Sequence, residues 1–258
     1  MWIKELETAR RAARAAGKIL KDSFGFVNNV MKKGAIDLVT DADLEAEKVV
    51  LEAIQDDFPT DNILSEEAGN HQHSSSNRTW IVDPLDGTTN FAHGFPFFAV
   101  SIALSIDTEI VIGIVYNPKM GEFYEAVRGE GSRLNNRPIN VSKAPNLNES
   151  LVGTGFPYYV HERPGDVIKF FSKMVVRAQG IRRPGSAAMD LCYVAAGRLD
   201  GFWEQGLKPW DTAAGILIVE EAGGKVTTIE GQPYSPFHKT IVAANPLIHA
   251  EMIKVLNS

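Results

Sequence analysis

The sequence predicts a protein of layered sheets and helices, of mixed α+β or α/β class. Three observations carry that expectation. Apolar residues recur at helical spacing near the N-terminus, two β-branched runs occupy the middle of the chain, and strand-like and helix-like segments alternate after residue 150. With 258 residues, 44% of them hydrophobic, the chain can bury a substantial core as one large domain or two closely packed lobes.

Leu6, Ala9, Ala13, Ala16 and Leu20 are spaced by three and four, which places them on one face of a first helix with Lys and Arg opposite. A second helix is predicted over 41–57, with Leu44, Leu51, Ile54 and Phe58 sharing a face. Thr40 is its expected N-cap, Asp43 stands at the third helical position, and Pro59 follows its end. The apolar strand through Trp80, Ile81 and Val82 is expected to stop at Asp83, because the residue before a proline cannot hold regular pairing. The runs 98–104 and 110–116 predict two strands of one antiparallel sheet, extended by 122–127 and 139–141 through Gly129 and Gly131. A composition shift at 144–148 marks the expected boundary between a lobe of residues 1–144 and a lobe of residues 145–258. The second lobe reads as a strand over 151–154, helices near 167–178 and 186–196, and a strand at 201–203. A helix over 211–222, strands at 225–229 and 240–243, and a last helix through Leu256 complete it.

Composition narrows the function classes. Cys192 is the only cysteine, so no internal disulfide forms, and its apolar neighbours predict a buried packing role. The start of the chain has no basic-then-apolar leader pattern, and no apolar run reaches the ~20 residues of a membrane span. A soluble, cytoplasmic protein is expected. The net charge of −6 weighs against a nucleic-acid surface. His71, His73 and His93 lack zinc-ligand spacing.

The most informative stretch is Asp83-Pro84-Leu85-Asp86-Gly87-Thr88-Thr89-Asn90. Two carboxylates three residues apart stand where an apolar strand ends, and Gly87 frees the backbone to fold Thr88 and Thr89 back toward them. The same residue types also make an ordinary turn. As a site, oxygen donors without nearby Cys or His suit a hard cation such as Mg2+. Two further acidic stretches repeat the design: Ser65-Glu66-Glu67-Ala68-Gly69 after a short apolar run, and Trp210-Asp211 opening an apolar segment that closes at Gly223-Gly224.

These stretches, with Asp37 to Asp43 before them, resemble the inositol monophosphatase family of Mg2+-dependent, lithium-sensitive sugar-phosphate phosphatases, over nearly the whole chain. The resemblance implies a five-layered αβαβα sandwich with the active site between the lobes. It implies two or three Mg2+ ions held by Glu66, Asp83, Asp86, Asp211 and the main-chain carbonyl of Leu85. Asp43, Thr88 and Glu67 become the expected catalytic residues, with Asp43 and Thr88 around the attacking water and Glu67 or Asp41 acting through a water. Phosphate is expected beside Asp86, against the amides of Gly87, Thr88 and Thr89. Gly185, Ser186, Ala187, Glu204 and Asp211 are expected at the sugar. Arg183, next to Arg182, is read as a second phosphate contact, a subunit contact or a solvated loop residue.

Such a site suits a reaction in which water is a poor nucleophile, the ester is anionic and the leaving alkoxide is basic. Hydrolysis of myo-inositol monophosphate to inositol and phosphate is the leading expectation, by a homodimer acting on a small sugar or inositol phosphate. Fructose 1,6-bisphosphate and nucleotide 3'-phosphates are the alternative substrates. A regulatory protein that binds RNA or a transcription complex on the same fold is the alternative of another class.

Overall fold

The structure is a computed structural model and describes residues 2–26, 30–32, 38–72 and 76–258. Asp37 and His73, which entered the sequence reading, lie outside the described residues. The first half contains α1 (Ile3–Ser23), β1 (Val30–Lys32), β2 (Leu38–Thr40), α2 (Asp41–Asp57), β3 (Asn62–Ser65), β4 (Gly69–His71) and β5 (Arg78–Asp86). It continues with α3 (Thr88–Ala92), β6 (Ala99–Ile106), β7 (Glu109–Asn117), β8 (Glu122–Val127), β9 (Ser132–Leu134) and β10 (Arg137–Pro138). There follow β11 (Leu151–Thr154), α4 (Gly165–Val175), β12 (Gly180–Arg182), α5 (Ala187–Ala195) and β13 (Gly201–Gln205). The chain closes with α6 (Pro209–Glu221), β14 (Lys225–Thr227), β15 (Thr240–Ala244) and α7 (His249–Asn257).

Among the described residues, β10-β9-β8-β7-β6-β5-β3-β4 form an eight-stranded sheet and β12-β11-β13-β15-β14 a five-stranded one. Side-chain alternation along the strands sorts the core into three helical layers. Ala9, Ala13 and Leu20 of α1 and Val50 and Ile54 of α2 pack on Ile102, Ile112 and Trp80, covering the outer face of the large sheet. Residues on the opposite face, such as Ala103 and Val115, meet Leu191 of α5 and Leu217 of α6, which also touch Phe202 and Ala243 of the small sheet. On the far face of the small sheet, Met174 of α4 and Met252 of α7 pack on Val152, Trp203 and Val242. The order is therefore helix, sheet, helix, sheet, helix: the five-layered αβαβα sandwich. Helix α6 is apolar on every side because both of its faces meet a sheet. A Cβ at Gly113 of β7 would lie 2.6 Å from the Ala214 carbonyl, so glycine is what lets α6 come this close.

Three expectations need correction. The strand does not end at Pro84. β5 runs on to Asp86 through a bulge, with Asp83 opposite Ser101 and Asp86 opposite Ala99, so three steps on β5 match two on β6. A bulge leaves ladder positions unpaired, which accommodates the missing N–H of proline. The buried face of α2 is also not the one its large apolar residues suggest. Leu44 is 43% exposed, and Ala42, Asp43, Ala46, Glu47, Val50 and Ile54 face inward, since both acids find donors there. Finally, 139–141 is not a strand. Asn135 and Asn136, with φ of 49° and 66°, turn a tight hairpin between β9 and β10, and the Val141 amide then donates to the Ala222 carbonyl at 3.1 Å.

The chain passes from the large sheet to the small one between β10 and β11, across the composition shift at 144–148. Helices α5 and α6, both from the later half, form the layer that joins the two sheets.

Candidate active site

A cavity of about 530 Å³ opens where β5, the start of α5, the end of β13 and the start of α6 meet. Glu66, Asp83, Asp86 and Asp211 all line it, as do Leu85, Gly87, Thr88 and Thr89. The bulge in β5 is what aims both of its aspartates. Asp83 accepts a hydrogen bond from the Leu85 amide at 3.0 Å, folding the strand over its own carboxylate. Asp86 accepts from the Ser186 hydroxyl at 2.6 Å and the Ala188 amide at 2.7 Å, so the N-terminus of α5 holds it from across the cavity. Asp211, in the first turn of α6, accepts from the Lys208 amide at 2.7 Å. Glu66 sits in the turn after β3, where its amide donates to the Val82 carbonyl at 3.3 Å. That turn is braced from α2: Glu47 accepts from the Ser65 hydroxyl and, at 3.0 Å each, from the amides of Glu67 and Ala68.

Burial and mutual repulsion dominate the electrostatics here. Burial lifts Asp83 well above the usual carboxylate range, and the charges on Glu66, Asp86 and Asp211 lift it further. Burial does the same to Asp211, with Asp86 adding to it. Asp86 is pushed up to about 6 by burial, restrained by its bonds from Ser186 and Ala188. Buried like charges of this kind need protons or cations to balance them. Among the described residues, no three Asp, Glu, His or Cys side chains are drawn together as a ready-made ion site. Oxygen-only donors and uncompensated negative charge fit a hard divalent cation such as Mg2+.

Neither Asp43 nor Glu67 lines the cavity, and Asp43 is buried beside it. Thr40 caps α2 and forms a capping box with Asp43, its amide donating to the carboxylate at 2.9 Å. The Thr88 hydroxyl lies 3.1 Å from the other oxygen of Asp43 and 3.0 Å from the Leu85 carbonyl, linking the carboxylate to the cavity. Burial pushes Asp43 up to about 6 against the bonds from Thr40, with the charge on Glu67 also raising it. Gly87 has φ of 93°, and a Cβ there would lie 3.0 Å from the Phe97 carbonyl and 3.3 Å from that of Gly185. Only glycine suits this junction.

The opposite wall carries Gly185, Ser186, Ala187, Glu204 and Arg183. Burial pushes Glu204 up to about 8, opposed by the charge of Arg183. The two neighbouring arginines part company. Both are exposed, but Arg183 lies over the Phe156 ring at 5.5 Å and lines the cavity, whereas Arg182 does not line it and donates to the Ile181 carbonyl at 3.0 Å. Sequence reasoning missed Phe156, Val160 and His161, which line the cavity from the stretch after β11, where Tyr158–His161 form a single 3-10 turn without motif character. It also missed Asp190, a fully buried carboxyl with no hydrogen-bond partner among the described residues, which burial raises well above the usual range. The glycines at 153, in β11, and 155, just after it, were a usable signal: they clear room beside Asp190 and Glu204.

A layered sandwich with a buried acid cup facing a polar pocket defines a class of small-molecule enzyme, and comparison places the chain within it. The chain belongs to the inositol monophosphatase family, which it matches over residues 2–258. It is 44% identical over 252 residues to the inositol-1-monophosphatase of Synechocystis sp., covering 97% of this chain and 88% of that protein. It is 41% identical over 250 residues to the Nus factor SuhB of Salmonella typhimurium, covering 96% and 94%. The crystal structure of extragenic suppressor protein suhB from Bartonella henselae superposes with a TM-score of 0.94 at 42% identity, covering 99% of each chain. Among the described residues no helix is long and apolar enough to cross a membrane.

Proposed function

We propose that the protein hydrolyses myo-inositol monophosphate to myo-inositol and phosphate, using two or three Mg2+ ions. The observation that carries this reading is the pairing, across one cavity, of a four-carboxylate cup with the buried acid Glu204 and the cation Arg183. In this reading Glu66, Asp83, Asp86, Asp211 and the Leu85 carbonyl hold the ions. Bound there, Mg2+ supplies charge for the phosphoryl oxygens and makes water a better nucleophile. The amides of Gly87, Thr88 and Thr89 orient the phosphate, and Gly87 lets the backbone approach it closely. Thr88 orients the attacking water with its hydroxyl, and Asp43 accepts the proton through it. Glu67 tunes Asp43 through its charge. Glu204, Asp211, Ser186 and Ala187 select the sugar hydroxyls, so residues 1–144 form a metal and water side and 145–258 a sugar side that also lends Asp211.

Phosphate release from inositol 1-phosphate, fructose 1,6-bisphosphate and nucleotide 3'-phosphates, measured with Mg2+ and with excess chelator, tests this. Inositol 1-phosphate should give the highest kcat/KM, and Li+ should inhibit. Turnover in chelator, or a clear preference for another substrate, overturns it. A second reading, a binding role in an RNA or transcription complex, draws support from relatives named Nus factor SuhB. Retention on RNA at physiological salt, measured on a variant without phosphatase activity, tests that role separately.

A further inference from the structure

Asn90 closes the stretch that supplies both β5 aspartates, yet its side chain reaches neither acid. Its amide nitrogen instead faces three carbonyls: Phe97 at 2.7 Å, Pro184 at 2.8 Å and Gly185 at 3.3 Å. An amide group has two N–H donors, so the two shorter contacts use both. One of these contacts lies seven residues along the chain and the other ninety-four, so Asn90 ties the loop before β6 to the turn before α5.

That turn is the one on which Asp86 depends. Pro184 and Gly185 lead directly into Ser186, whose hydroxyl donates to Asp86, and into Ala188, whose amide does the same. Gly87 and Gly185 have φ of 93° and 94° and let the two backbones come together, but an open approach does not hold them there. The Gly185 turn also abuts Arg183, whose guanidinium would lie 2.7 Å from a Cβ at position 185. We propose that Asn90 is a positioning residue: its amide staples the 184–186 turn to the 87–97 segment and thereby fixes how far the Asp86 side of the cavity stands from the Arg183 and Ser186 side. Released from Asn90, the turn can withdraw, Asp86 loses its two donors, and the acid cup loses its set geometry.

The inference rests on the cup binding Mg2+, and its test reads binding rather than turnover. Mg2+ is titrated calorimetrically into the purified full-length wild type, N90A and N90D, with thermal melts confirming the fold. The three groups that the Asn90 nitrogen faces are all carbonyls, so N90A loses the donors and N90D sets a carboxylate oxygen against those acceptors. Mg2+ affinity should fall on the order of tenfold in N90A and further in N90D. If N90D does not fold, N90S, which keeps one donor, replaces it, and affinity should fall in the order wild type, N90S, N90A. Wild-type affinity in N90A overturns the proposal, as does wild-type affinity in N90D, the closest match in shape, because shape alone would then suffice. If the wild type binds no Mg2+, the metal reading fails instead, and amide hydrogen exchange decides the staple in metal-free protein. Residues 184–188 should exchange faster in N90A than in wild type while the rest of the chain is unchanged, and equal exchange overturns it.

Discussion

The Glu204 carboxylate occupies the space that a side chain at Gly155 would fill. Gly155 follows β11 next to Glu204 on β13, a parallel neighbour in register at Thr154 and Trp203. Because the obstructing group is the end of a flexible side chain, Gly155→Ala should displace Glu204 and leave the backbone in place. The expected outcome is a KM for inositol 1-phosphate raised up to about tenfold, the loss of about one hydrogen bond, with Mg2+ affinity unchanged. Steady-state kinetics and a Mg2+ titration check it, and an unchanged KM would remove Glu204 from substrate contact.

Thr88 and Asp43 make the opposite split. Their hydrogen bond lies behind the cavity wall, so Thr88→Ala and Asp43→Asn should lower kcat on the order of 10²-fold with little change in KM. A rise in KM alone would reassign both to substrate binding.

The acid cup should make Mg2+ binding a proton-linked event. In the metal-free protein burial pushes Asp86 up to about 6, and burial with neighbouring negative charge raises Asp83 and Asp211 well above the ordinary value. A carboxyl whose folded pKa exceeds its unfolded one makes the folded state bind more protons in between, so stability falls as pH rises through that window. Mg2+ binds the deprotonated form and releases those protons. The Tm gain from a fixed Mg2+ concentration should therefore be small at pH 5 and grow toward pH 7.5. The difference between loaded and metal-free melts also cancels groups outside the cup, such as His249, which burial holds at about 4. Calorimetry in buffers of different ionisation enthalpy should show proton release, and a pH-independent Tm gain would contradict the linkage.

Arg183 and Arg182 should behave differently. Arg183→Ala removes a cation from the sugar side of the cavity and should lower kcat/KM for fructose 1,6-bisphosphate by about ten- to a hundredfold, more than for inositol 1-phosphate. Arg182→Ala, outside the cavity lining, should change neither by more than about twofold. Equal losses for the two substrates in the Arg183 variant would show that this arginine does not discriminate between them.

Element bounds were legible wherever punctuation is local. Thr40, Asp43 and Pro59 mark α2 at both ends, and the observed helix is Asp41–Asp57. Its buried face was not legible, because Asp43 and Glu47 turn inward to donors supplied by Thr88 and by the 65–68 turn, far along the chain. Pro84 is a sound stop signal by itself, but the bulge opposite Ser101 and Ala99 depends on a partner strand that no local reading contains. The acids of the cup announce themselves by residue type. Their supports, Glu47, Ser186 and Asn90, do not, since each acts through contacts that only the folded chain creates.

The bonds from Ser186 and Ala188 to Asp86 span 100 and 102 residues, and they have a consequence for synthesis. A chain that has left the ribosome only as far as β10 already contains Glu66, Asp83 and Asp86, but neither Asp211 nor the donors that hold Asp86 have been made. Its Asp86 lacks the donors that hold it in the folded protein. The four-carboxylate cup is complete only when α5 and α6 settle between the two sheets, so its assembly waits on the last third of the chain.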